Sequence, residues 1–334
     1  MSRRAGWKSR RWELTTWAIP VSGIAPLWRE HGHAFGVLAL STTYILTVGI
    51  WHPQVTAPLW HLPSALLLVV VVADLALVRI VWERIRTRDP WRVVWTRLRD
   101  CELATERLWG VFLAGFMGRW LMLNAVGWKL TIPLVHPFAF DARLSRIDFA
   151  LHGGDPARLP MPDLFLRAID AFYYGWFPIF AAAMLWWGWQ APSALRRRFL
   201  LGMALMWTLS AVGAVLVSSA GPVFYGHVTG EPSPYVHGVA RLRDLDLIAY
   251  GMQEAVWNAY LGSDTGVIAG IAAFPSVHVA LPALLALSSW GWLRWMFWGM
   301  CIVTLVGSFS LQWHYAVDGY AGVGIAWVSW RLAR

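Results

Sequence analysis

Residues 196–219 read RRRFLLGMALMWTLSAVGAVLVSS: three arginines, then 21 residues without a charge. A helix rises about 1.5 Å per residue, so about 20 apolar residues cross the hydrocarbon core of a bilayer. A cationic flank marks the cytoplasmic end of such a span. The rest of the chain has the same character. Of its 334 residues, 57% are apolar and 14% charged, and 25 are Trp. Soluble domains carry about 25% charged residues. This composition excludes a disordered chain and disfavours an ordinary soluble domain. With two cysteines the chain is no disulfide scaffold. The reading is an all-α, polytopic membrane bundle.

Eight spans are expected, at about 34–51, 60–82, 108–127, 168–189, 199–219, 276–290, 293–311 and 315–331. The sixth is short and is expected to tilt or to begin inside the protein. The first 33 residues lack the pattern of a cleaved signal peptide and read as a retained cytoplasmic segment. With the N-terminus in the cytoplasm, 20 Lys and Arg fall on the cytoplasmic side and seven on the other. That asymmetry orients the bundle with both termini inside. Residues 84–107, basic with interleaved Trp and Leu, read as a helix on anionic headgroups rather than a nucleic-acid surface. Asp74 and Arg119 lie within spans and are expected to pair. Two long outer loops remain, about 128–167 and 220–274. In the first, Asp141, Arg143, Arg146 and Asp148 are expected to cap or brace a surface helix.

Chemistry concentrates near the C-terminus. Residues 270–287 read GIAAFPSVHVALPALLAL, and residues 307–322 read GSFSLQWHYAVDGYAG. The first stretch places Pro275, Ser276 and His278 at the start of a span, where free N–H groups and the positive helix end favour a phosphate. The second sets His314 and Asp318 four residues apart, on one helix face. A carboxylate there can hold an imidazole for nucleophilic work. The sixth span begins on the outer side, the seventh returns to it and the eighth begins there. His278 and His314 therefore share one membrane level, and SSAGPVFYG (218–226) ends the fifth span at the same level.

The pairing of P-S-x-H with H-x-x-x-D one helix–turn–helix later resembles the type-2 phosphatidic acid phosphatase superfamily. More closely, it resembles the branch around fungal inositol phosphorylceramide synthase. The resemblance covers about 108–334, a six-span catalytic unit, with 1–107 as an addition of two spans and basic segments. It implies that His314 attacks phosphorus to form a phosphohistidine, that His278 protonates the leaving oxygen and that Asp318 holds His314. It implies no metal or other cofactor. The partners it implies are lipid substrates, a phospholipid donor with a lipid alcohol or water as acceptor. No nucleic acid is expected, and the oligomeric state is left open.

The chain departs from the superfamily pattern. Gly307 and Ser308 stand where many phosphatases have Ser-Arg, and 218–228 has no Lys or Arg. The synthase-like branch also lacks these arginines, which favours a transferase, with a lipid phosphatase as the alternative. Candidates for neutralising the phosphate are Lys129, His227, Arg241 and Arg243, with Ser276 and Tyr225 shaping the site. Lys129-x6-His136-Pro137 imitates the missing motif two spans early. A non-catalytic transporter or scaffold is the remaining alternative, without the inverted repeat such proteins often carry. The expected location is a bacterial inner membrane, with the site on the non-cytoplasmic side.

Overall fold

A computed structural model describes residues 24–61, 101–262 and 270–334. Among these, the regular structure is helical throughout. Helix α1 spans Ile24–Gly49 and α2 Cys101–Val135. Helix α3 is Asp141–His152. Helices α4 (Asp163–Tyr174) and α5 (Trp176–Trp189) follow end to end, and α6 is Ala194–Leu216. Three shorter helices, α7 (Tyr225–Thr229), α8 (Val236–Asp244) and α9 (Ile248–Leu261), lie in the long connection after α6. The last three are α10 (Val277–Ser288), α11 (Gly291–Ser310) and α12 (Ala316–Leu332).

Five stretches among the described residues are long and apolar enough to cross a membrane: His31–Gly49, Arg107–Val135, Asp163–Trp189, Ala194–Leu216 and Gly291–Ser310. Their outward faces carry bare hydrophobic side chains, including Trp186, Trp292, Trp295 and Leu40. Bare apolar area on this scale belongs against lipid, and the chain is an integral membrane protein. Residues 62–82 of the span expected at 60–82, Asp74 and residues 84–100 of the basic segment lie outside the described residues, and 101–107 form the start of α2. Arg119 is half-buried on α2.

The expected short sixth span is α10, only 12 residues long. It is buried on every side, by Val279 to Ala286 and Ser288, because it lies among α6, α11 and α12 rather than against lipid. A helix without a lipid face has no need of a full bilayer length. The 168–189 span is broken at Gly175. Pro178 causes the break, because it has no N–H to give the Tyr174 carbonyl. The break falls beside α10 and turns Tyr173, Tyr174, Trp176 and Phe177 toward one cavity.

The arginine flank of α6 does more than sit among headgroups. Arg196 is fully buried and donates to the Gln190 carbonyl at 2.6 Å. Arg198 donates to the Trp330 carbonyl at 2.8 Å, tying α6 to the end of α12. Ser193 caps α6 by accepting the Arg196 N–H at 3.1 Å.

Candidate active site

His278 sits in the first turn of α10. Its ring stacks on Tyr173 at 4.8 Å between centroids. Trp176 lies 4.9 Å away and Phe177 meets it edge-on at 6.4 Å. On its open side is His314, with centroids 5.9 Å apart. The two histidines thus face one another across a gap of atomic size.

His314 lies in the tight connection between α11 and α12. Its Nδ1 is 2.7 Å from the Ala273 carbonyl oxygen. A carbonyl can only accept, so Nδ1 carries the proton and Nε2 keeps its lone pair. The Asp318 carboxylate is 3.6 Å from the same Nδ1. That is an ion-pair distance rather than a hydrogen bond. Asp318 is fully buried and accepts the Tyr315 N–H at 3.0 Å, capping α12. Asp318 does come beside His314, but not on a shared helix face as expected: His314 precedes α12, which begins at Ala316, and the turn into the helix brings the two together. The bond that fixes the ring comes from Ala273, in the segment before α10, which the motif did not indicate.

Several contacts lock the two motifs together. The Ser276 N–H donates to the Asp318 carbonyl at 3.0 Å. At Gly322, on α12, a Cβ would fall less than 3.0 Å from the Ser276 carbonyl oxygen, so the starts of α10 and α12 approach through a glycine. Gly221 (φ 103°) turns 218–226 against the Trp313 carbonyl, in a conformation that suits glycine.

Helix α3 braces this level from outside. Asp141 accepts the N–H groups of Ala220 and Gly221 at 2.9 and 2.8 Å, and the Tyr315 hydroxyl at 2.9 Å. Asp148 accepts the Ala316 and Val317 N–H groups at 2.9 and 3.0 Å, at the positive end of α12. Burial raises both carboxyls from the ordinary carboxylate value, while the N–H donors pull them back. His152 joins the brace through the Tyr320 hydroxyl at 2.9 Å. The bracing role expected of this stretch is carried by Asp141 and Asp148 acting on other segments.

A cavity of about 240 Å³ opens beside the histidines. Its wall is mainly aromatic and aliphatic, and α1 contributes Leu38 and Ser41 to it. Lys129, from α2, is the one Lys or Arg among the described lining residues, and no Asp or Glu lines it. Of the other residues expected to meet substrate, none lines this cavity. Arg241 pairs with Asp163 at 2.7 Å and also donates to the Met161 carbonyl. Arg243 pairs with Asp244 at 3.1 Å. Both guanidinium groups lie at the protein surface beside those carboxylates, away from the cavity. His227 is exposed and stacks on Trp257 at 4.5 Å. Tyr225 is buried in the outer cluster, its hydroxyl donating to Glu231 at 3.0 Å. Ser276 is buried behind the cavity, at the N-cap position of α10.

Two features escaped the sequence reading. The aromatic cage around His278 comes from the run 172–177, and the cue was a glycine three residues before a proline inside an apolar stretch. The Ala273 carbonyl left no cue, because any residue supplies one.

The sequence pattern of the PAP2 superfamily matches residues 158–332, just over half of the chain. The chain belongs to this superfamily. Its members are phosphatases and phosphotransferases, so the protein is an enzyme of that general type. Comparisons with curated proteins and with solved structures gave no match. The PAP2 match takes in both histidine motifs and the aromatic cage. Helices α1 and α2, and with them Lys129, precede it. Among the described residues, no group of three or more His, Cys, Asp or Glu side chains is disposed to hold a metal ion.

Proposed function

We propose that the protein transfers a phosphoryl or phospho-headgroup group between lipids through a phosphohistidine on His314, in the manner of the inositolphosphotransferase-like branch. The observation that carries this reading is the Nδ1 bond to Ala273, which leaves Nε2 of His314 as a free lone pair 5.9 Å, ring to ring, from His278. In the first step Nε2 attacks phosphorus and the P–O bond to the leaving lipid alcohol breaks. His278 gives its proton to that oxygen. The phosphorylated imidazole keeps its Nδ1 proton and gains positive charge, which the Asp318 carboxylate at 3.6 Å stabilises. In the second step the acceptor alcohol gives its proton to His278 as its oxygen attacks phosphorus. The P–N bond then breaks and the electron pair returns to Nε2.

The catalytic unit on this reading takes in 108–334, with 1–107 as an addition. Metal takes no part, so activity should survive a chelator. The distribution of Lys and Arg supports cytoplasmic termini and a site on the outer face of a bacterial inner membrane.

The test uses purified protein in lipid, headgroup-labelled phospholipids and candidate lipid alcohols, with His314→Ala as control. A new phospholipid that is lost in the variant supports the transferase. Release to water alone, also lost in the variant, replaces it with a lipid phosphatase on the same residues. Equal turnover in both proteins removes His314 as nucleophile.

A further inference from the structure

The two histidines are held in different ways. The His314 ring is pinned by the bond from its Nδ1 to the Ala273 carbonyl. The His278 ring, half-buried in the cavity wall, has no hydrogen bond among the described residues. Rotation about the bond between Cβ and an imidazole is broad and roughly two-fold. A ring without a hydrogen bond is therefore oriented only by what packs on it. Three aromatic rings do this, all from 173–177. Tyr173 lies nearly parallel to His278, with 22° between the planes at 4.8 Å. Trp176 is tilted by 50°, and Phe177 meets the ring at 87°.

Of the three, Tyr173 has the firmest backing. It is buried in a cluster with Ile169, Leu247, Ala249 and Leu311, whereas Phe177 is half exposed. On α11 it meets Gly307, where a Cβ would lie 3.1 Å from Tyr173 Cδ2 and 3.0 Å from Ile169 Cγ2. Those distances are tighter than ordinary contact, so a side chain at 307 would press the ring out of its seat. The end of α4 is anchored as well. Asp170, one turn before Tyr173, accepts the Ile248 and Ala249 N–H groups at 2.7 and 3.0 Å, which ties it to the start of α9. The Tyr173 hydroxyl is buried without a hydrogen-bond partner among the described residues. The part of the residue that His278 meets is the ring face.

We propose that Tyr173 is a positioning residue: its ring, seated against Gly307, holds the His278 imidazole at the angle from which it exchanges a proton with the reacting oxygen. This rests on the catalytic reading above and adds to it a residue that acts through His278. No bond to Tyr173 forms or breaks.

The experiment measures kcat and KM of wild type, Tyr173→Phe, Tyr173→Leu and Gly307→Ala on the headgroup-labelled phospholipids, with Tm as the check on folding. Tyr173→Phe keeps the ring and should keep wild-type kcat. Tyr173→Leu should lower kcat by about 10²-fold, the scale of a proton donor displaced by about 1 Å, with KM changed much less. Gly307→Ala displaces the ring without emptying its seat and should lower kcat by about tenfold, which keeps the test open if Tyr173→Leu does not fold. In a His278→Ala background Tyr173→Leu should cost nothing further, because the two residues act as a unit. Wild-type kcat in Tyr173→Leu or Gly307→Ala overturns the proposal. So does an equal loss in Tyr173→Phe, or a full further loss on top of His278→Ala. A measurement without turnover separates this from failure of the catalytic reading. In histidine-labelled protein the His278 ring resonances, assigned by their loss in His278→Ala, should carry the upfield displacement that a stacked aromatic face imposes. Tyr173→Phe should retain that displacement and Tyr173→Leu should lose most of it. Resonances unmoved in Tyr173→Leu overturn the proposal whatever His314 does. Turnover that survives in His314→Ala overturns the catalytic reading and with it the proton role of Tyr173, while the resonances still report the stacking.

Discussion

Gly322→Ala is the sharpest probe of how the site is held. The substitution adds one methyl group on α12, facing the Ser276 carbonyl oxygen. The new Cβ would lie inside 3.0 Å of that oxygen, a distance real Cβ atoms essentially never show. The obstacle is backbone, and it is fixed: the Ser276 carbonyl accepts the Ala280 N–H at 3.1 Å, and the Ser276 N–H donates to the Asp318 carbonyl at 3.0 Å. To recover ordinary contact at 3.4 Å the two helix starts must part by about 1 Å. His278 is two residues beyond Ser276 and His314 two before Ala316, so that displacement is transmitted to the gap between the rings. A misplacement of about 1 Å costs on the order of 10²-fold in rate. Stability should fall by about 0–3 kcal/mol net. Overpacking costs about 1–3 kcal/mol and alanine returns up to about 1 kcal/mol in helix propensity. The assay is kcat on the donor lipid beside Tm of the same detergent-purified sample. Wild-type kcat in a folded variant would refute the claim that this glycine sets the spacing of the histidines.

Three further outcomes are expected. Asp318→Asn should lower kcat by about 10²-fold while leaving fold and tautomer intact, because Ala273 holds the ring and only charge stabilisation is lost; a loss of 10⁴-fold or more would show that Asp318 fixes the tautomer after all. Asp141→Ala strands two backbone N–H groups and the Tyr315 hydroxyl, and should cost roughly 3–9 kcal/mol at about 1–3 kcal/mol per stranded buried donor. Denaturant unfolding in micelles reads it, and a loss under 1 kcal/mol would sink the bracing role. The Asp148 carboxyl is raised in the folded state, chiefly by burial, so its contribution to stability is full below the ordinary value of 3.8 and is lost as pH rises through the folded value. Comparing Tm of wild type and Asp148→Asn from pH 4 to 7 should show the difference moving in the variant's favour as pH rises, and a flat difference would contradict it.

The parts of this molecule that could be read from sequence are those whose signal is local. Apolar length announces α6, and the four-residue spacing of His314 and Asp318 announces that the two side chains meet, although His314 precedes α12 rather than sharing its face. Pro275-Ser276 announces a helix start. What escaped depends on partners far along the chain. Arg241 looks like a phosphate ligand until Asp163 folds beside it, and nothing in either neighbourhood foretells the pairing. The α4–α5 break was encoded by Pro178, but a 22-residue apolar run masks it when only length is scored. The boundary between α10 and lipid was equally invisible, since a helix buried in protein and one buried in bilayer can share the same composition.

The cavity is walled partly by α1 and α2, which lie outside the segment matched to the superfamily. On the function proposed above, the bond-breaking groups and much of the chamber that would admit the lipid are therefore written in separate stretches of the chain. Mutation can reshape the chamber while the reacting imidazoles stay as they are. Two proteins alike over 158–332 and unlike before it would share a reaction and differ in clientele, so substrate range in such chains is to be sought upstream of the motifs that identify them.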